Sequence, residues 1–176
     1  MTGSDPPPIV AAVAELLARD RPVADDGSDA ASSPGAAAAG LTVVEVGIGD
    51  RHDAARTLAD AGHDVIAIDV TERDVPSGVR FIRADVHALA DGSSSVTDGS
   101  SSTADDRPGD PSPPAVDAVY ARNLPAEIQP ATARFASRIG APLAFTTLGF
   151  EVPSPSLPPS LERRSAGPET VFVLAD

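Results

Sequence analysis

The chain has 176 residues, which points to one domain, and no apolar run is long enough to cross a bilayer. It holds no cysteine, which excludes disulfides, thiolate metal sites and cysteine nucleophiles. The net charge is −13 and all 13 basic residues are arginine, while Asp far outnumbers Glu among the 26 acids. A lysine-free, Asp-rich surface fits a protein adapted to high internal salt, where exposed carboxylates maintain solubility. It also argues against a DNA partner, because duplex affinity rests largely on neutralising phosphates with Lys and Arg. His52, His63 and His87 are scattered without metal-ligand spacing, so no metal site is expected. The first residues lack the basic region of a signal peptide, and the expected location is cytoplasmic.

Ile9 to Arg19 has apolar residues at helical spacing (Ile9, Val13, Leu16, Leu17) and predicts an amphipathic helix. The following stretch to Gly40 is rich in Asp, Ser, Gly and Ala and reads as a linker, so residues 1–40 form a helix plus a flexible connection. The domain proper, 41–176, then opens with a short strand at Leu41 to Val46. A helix over Asp50 to Ala61 follows, with Asp50 placed to cap its start and Gly62 to end it. Asp64 to Val70 and Val79 to Arg83 are the second and third strands. Between Asp91 and Ala115, 19 of 25 residues are Asp, Ser, Gly or Pro. Such a segment cannot bury enough apolar surface to fold, and reads as an expanded loop. Val116 to Ala121 is the fourth strand, Ala131 to Ile139 a helix stopped by Gly140, and Pro142 to Thr147 the fifth strand. A Pro/Ser-rich loop precedes a last strand at Thr170 to Leu174. No clear helix lies between the last two strands, which allows an antiparallel closing strand at the sheet edge.

Strands alternating with helices imply an α/β domain with a mostly parallel sheet covered on both faces. The short, continuous apolar runs fit strands buried on both sides. The expectation is a small Rossmann-like fold carrying low-complexity insertions. In such a sheet a ligand sits beyond the carboxyl ends of the strands, beside the point where strand order reverses.

The loop after the first strand carries the chemistry. Gly47 and Gly49 let the backbone turn and let a ligand approach without meeting a Cβ. Asp69 ends the second strand 20 residues after Gly49, the spacing at which an acid accepts hydrogen bonds from ribose hydroxyls. A dinucleotide would need its pyrophosphate on the helix N-terminus and a third glycine for close packing. His52 stands at that third position, and Asp50 and Asp53 place negative charge beside the anion site, only partly offset by Arg51. Nicotinamide dinucleotides are therefore disfavoured. Glu45, Gly47 and Gly49, in the order Glu-x-Gly-x-Gly, resemble the first motif of the class I methyltransferase superfamily. The run Ala67 to Val70 resembles its second-strand motif, and Ile82 to Val86 its third. This resemblance covers roughly Leu41 to Thr147. It implies S-adenosylmethionine as the cofactor, with Glu45, Gly47, Gly49 and Asp69 as cofactor-binding residues and Asp85 near the adenine amino group. The family's usual third glycine is replaced by Arg51, and the extra strands and cap elements that normally hold a substrate are missing. With its stretch "DAVYARNLPAEIQPA", the whole layout resembles a group of small archaeal proteins, an uncharacterised protein family (UPF). That resemblance implies a fold and no established activity.

Each residue also has a plainer reading. The glycines serve the turn even without a ligand, Glu45 can bond backbone amides of the neighbouring loop, and Asp85 can cap a helix. Arg122 and Asn123 follow the fourth strand, where methyltransferases often place substrate-facing residues. "RNLP" only faintly resembles the Asn-Pro-Pro-aromatic motif, however, and Asn123 reads equally well as the cap of the next helix. Tyr120 reads as core, and Arg134 and Arg138 as a solvated helix face. No catalytic residue is assigned. The readings left open are a domain of methyltransferase type binding S-adenosylmethionine with weak or unknown transfer activity, a non-enzymatic module with a vestigial or nucleotide-sensing loop, and an NAD-binding domain.

Overall fold

The computed structural model describes residues 6–19, 40–93, 115–149 and 151–175. The linker and most of the Asp/Ser/Pro-rich stretch expected at Asp91 to Ala115 lie outside the described residues. Of that stretch, Asp91 and Gly92 finish a helix, as described below.

The first helix, α1, spans Pro8–Arg19 and starts on a proline, whose fixed φ suits the first helical turn. Its stripe of Ile9, Val13, Leu16 and Leu17 is buried. Burial contributes roughly 1.5–3 kcal/mol per such side chain, which holds a helix too short to be stable alone. This stripe shares one core with the sheet residues of the domain that follows.

Strands β1 (Thr42–Val46), β2 (Asp64–Asp69), β3 (Val79–Arg83), β4 (Ala118–Ala121) and β5 (Leu143–Phe145) are parallel. Two more, β6 (Glu162–Ala166) and β7 (Glu169–Leu174), form a hairpin, giving the order β3-β2-β1-β4-β5-β7-β6 among the described residues. β7 runs antiparallel to β5, as the sequence allows, but is not the edge: β6 covers it. The sequence reading missed β6 because its residues, "ERRSA", are half-buried or exposed and show no apolar alternation. Charged residues on an edge strand also block unwanted pairing.

Helices α2 (Asp53–Asp60), α3 (Val86–Ala90) and α4 (Gln129–Ile139) complete the chain. Val43, Val65, Ala67 and Ala118 pack against α1 and α2 on one face. Val44, Ile66, Ile68 and Val119 pack against α3 and α4 on the other. The α/β Rossmann-like layout expected from the sequence is thus observed. α2 is shorter than expected: it begins at Asp53, and the residue before it, His52, makes no side-chain cap bond. Asp50 does not cap the helix, because two residues separate it from the first helical position, Asp53. Gly62 takes φ 91° after the helix end, its N–H donating to Ala59 O and that of His63 to Leu58 O, which closes α2. Gly140 does the same for α4 with φ 68°. Asn123 is not a cap, since α4 starts at Gln129.

Candidate functional site

Strand order reverses between β1, which leads outward to β2 and β3, and β4, which leads to β5. The loops leaving these two strands diverge, and a cleft of about 290 Å3 opens between them. Gly47 and Asp69 line it on one side, Arg122 and Asn123 on the other, with Ile68 and Leu124 among its apolar walls.

The glycine loop turns through left-handed backbone at two positions, Gly47 (φ 71°) and Gly49 (φ 54°). A Cβ added at Gly47 would meet nothing within 4 Å, so the space beside it is open. Arg51 and His52 keep negative φ, and the loop therefore needs no third glycine for its path. His52 instead folds back, its Nε2 3.1 Å from Gly49 O.

Asp69 closes the loop from the other side. Its Oδ2 accepts from the Gly49 N–H at 3.2 Å and its Oδ1 from the Thr71 N–H at 2.9 Å. Arg73 Nε stands 3.5 Å from Oδ2, and Arg73 also reaches Asp50 at 2.9 Å. Arg51 attracts Asp53, as the expected partial counterweight, but the ion-pair partners of the loop acids are Arg73 and Arg122. Arg122 is paired with Asp53 at the start of α2. Partial burial raises the Asp53 carboxyl, but the Arg122 guanidinium outweighs it and holds Asp53 below its ordinary value.

Glu45 lies beneath the loop, one residue from the end of β1, at 1% exposure. Its register neighbour in β4 is Tyr120, so the two side chains share a face. The Tyr120 hydroxyl donates to Glu45 Oε2 at 2.8 Å. This differs from the expected bonds to loop amides, and Tyr120 is more than filler. Glu45 Oε1 is buried with no hydrogen-bond partner among the described residues. Burial pushes the Glu45 carboxyl up to about 7, partly countered by the Tyr120 bond and the Arg122 charge. Burial and the neighbouring carboxyl push the Tyr120 hydroxyl well above its ordinary value.

Asp85 stands apart from this group. It caps α3, its Oδ1 accepting from the His87 N–H at 2.9 Å, and it is solvent-exposed. Its neighbours Ala84 and Val86 line the cleft. Glu45, Gly47, Gly49 and Asp69 are thus gathered at one end of β1 and β2, with Asp85 at the end of β3.

Sequence reasoning missed the residues that hold the far wall. Asn123 has φ 51°, and its N–H donates to Thr146 Oγ1 at 2.9 Å, while the Leu124 N–H donates to Thr146 O at 2.7 Å. Asn tolerates the left-handed region better than most side chains. Gln129 is fully buried: its amide donates to Leu124 O and accepts from the Ser154 N–H, both at 2.8 Å. It ties the loop after β4 to the loop after β5. Polar residues inside an apolar helix pattern were the one available signal, since burial requires them to find partners.

Similarity to solved structures is broad and low in identity. A Haemonchus contortus phospholethanolamine N-methyltransferase 2, in complex with phosphomonomethylethanolamine and S-adenosylhomocysteine, is 18% identical with a TM-score of 0.38. The match covers 62% of this chain and 24% of that one, so this chain spans about a quarter of its length. The bifunctional kinase-methyltransferase WbdD is 10% identical with a TM-score of 0.49, over 95% of this chain and 38% of that one. A Burkholderia thailandensis 1,6-didemethyltoxoflavin-N1-methyltransferase, with bound 1,6-didemethyltoxoflavin and S-adenosylhomocysteine, is 14% identical with a TM-score of 0.44, over 96% and 77%. The strand order, not these likenesses, assigns the fold. In sequence, residues 31–90, which contain all five candidate residues, match the model of an uncharacterised protein family, UPF0146. Two relatives, UPF0146 proteins of two Halobacterium salinarum strains, are each 39% identical over 139 residues, covering 79% of this chain and 91% of theirs. The chain therefore belongs to the UPF0146 family, with a Rossmann-like fold and archaeal relatives.

Proposed function

We propose that the cleft binds S-adenosylmethionine. Bound, that molecule would supply an electrophilic methyl group on a cationic sulfonium. The observation that carries this reading is Asp69, fixed between the glycine loop and the cleft by the Gly49 and Thr71 amides. A carboxylate offers about four lone-pair sites. The two amides use two of these, which leaves room for a ribose hydroxyl beside the Arg73 ion pair. Gly47 and Gly49 would give the ligand backbone contact, Glu45 keeps one oxygen without a partner, and Asp85 would lie toward the adenine. The acids Asp50 and Asp53 at the loop favour a cationic over an anionic ligand, even though each is paired with an arginine. Arg122 and Asn123 face the cleft from the opposite wall, where an acceptor would stand. The volume lies at the small end of ligand pockets, so a nucleoside would remain exposed on one side.

Calorimetry in molar salt with S-adenosylmethionine, S-adenosylhomocysteine and NAD tests this. The expected outcome is saturable binding of the first two and none of NAD. Asp69→Asn should weaken that binding at least about tenfold, through loss of a charge-assisted acceptor. No heat and no thermal shift with any of the three would overturn the proposal.

A further inference from the structure

On the far side of the sheet from Glu45, a second concavity of about 570 Å3 lies between α4 and the chain around β7. Its floor is apolar, including Ala133, Ala136, Leu143 and Leu174, and Arg134 and Arg138 project at its rim. None of its 14 described lining residues is acidic, in a chain with two acids for every arginine. Arg73, Arg80, Arg122 and Arg164 each have a carboxylate at ion-pair distance. Arg134 and Arg138, like Arg51, Arg56, Arg83 and Arg163, have none among the described residues, but these two alone share a cavity.

These two arginines are also four residues apart on one helix, where like charges repel. The carbonyl end of α4 favours a cation in its last turn, which accounts for Arg138. It does not account for Arg134, a turn earlier. The Arg138 guanidinium extends toward the end of α3, where a Cβ on Gly92 would sit 3.7 Å from Nη1. Ser137, Ser156 and Ser160 line the same cavity.

We infer that this cavity is a binding site for a small phosphate monoester with an apolar body, held by Arg134 and Arg138. Two guanidinium forks match the several oxygens of a phosphate better than the two of a carboxylate. The serine hydroxyls can donate to oxygens the arginines leave. The alanine and leucine floor would cover the non-polar part of the ligand, in a volume ordinary for small-molecule pockets. The site is separate from the methyl-donor cleft and does not depend on that reading.

Phenyl phosphate, titrated into the full chain in molar salt by calorimetry and by NMR of the alanine methyls, is the direct test. Saturable binding is expected, with shifts at Ala133 and Ala136. The double variant Arg134→Gln, Arg138→Gln should keep the thermal midpoint and weaken binding about tenfold or more. Phenol and inorganic phosphate should each bind more weakly than phenyl phosphate, and Asp69→Asn should leave the affinity unchanged. Equal affinity in the double variant, or phenol binding as tightly as phenyl phosphate, would overturn the assignment. So would binding that appears only after residues 94–114 are shortened or Asp176→Asn is introduced, because the chain's own carboxylates would then be the occupant. Sedimentation with phosphatidic acid vesicles, without binding of phenyl phosphate, would assign the arginines to a lipid headgroup and overturn the small-molecule reading.

Discussion

Two concavities of one acidic chain treat charge in opposite ways. At the carboxyl ends of β1, β2 and β4, acids crowd together and each has a partner: Asp69 has two amides, Asp50 has Arg73, Asp53 has Arg122, and Glu45 has Tyr120. At α4 two arginines face a cavity with no acid among its described lining. Net charge therefore says little about what either site prefers. The first is a prearranged acceptor array and the second a donor pair with no acid partner among the described residues, and the difference lies in which elements the fold brings together.

The largest effect should separate the two sites by pH. Glu45 has its carboxyl raised from 4.5 to about 7 by burial. A raised carboxyl binds its proton more tightly when folded, so its contribution is fully present below pH 4.5 and disappears as pH rises through 7. Ionising it in place costs about 3 kcal/mol. Chemical denaturation from pH 4 to 8 should show the wild type losing about that much relative to Glu45→Gln. Parallel curves for the two proteins would show that Glu45 is not the titrating group. Tyr120→Phe removes a bond that lowers the Glu45 value, so the loss should move to higher pH. That change should also cost about 1–3 kcal/mol, as expected for a buried acceptor left unpaired.

A smaller effect should follow Gly47→Ala. The methyl group would enter open space, so the cost comes from the left-handed backbone, about 1 kcal/mol. Because that methyl group stands beside the cleft, S-adenosylmethionine binding should fall while phenyl phosphate binding at α4 stays the same. Loss of both would mean the two sites are coupled. The smallest effect is on stability in Arg134→Gln, Arg138→Gln, which should stay within about 0.5 kcal/mol of wild type by denaturant unfolding. A loss of several kcal/mol would show that the arginines hold the fold together.

Six of the seven described strands and their order along the chain were legible because each carries a short apolar run, a pattern that survives without tertiary information. The same is true of the helix ends at Gly62 and Gly140, which need left-handed backbone. β6 was not legible, since an edge strand of charged residues buries little and resembles a loop. α3 is five residues long, too short for helical periodicity to register. In the site, Gly47, Gly49 and Asp69 stood out through spacing within one strand–loop–strand unit. Thr146 and Gln129 did not, because their partners lie in loops that meet only when β4 and β5 pair.

The sequence by itself determined the α/β class, the acidic, lysine-free composition and the acid facing a glycine loop, because these depend on composition and local spacing. Only the tertiary structure decided which charges are neutralised. Glu45 and Tyr120 are 75 residues apart in the chain, and the β1–β4 register makes them neighbours. Among the described residues, Arg73 and Arg122 reach the loop acids and Arg134 and Arg138 reach none, through the placement of β2, β4 and α4 around one sheet. Charge–charge contacts act over a few ångströms, and such distances between remote residues exist only once the chain is folded.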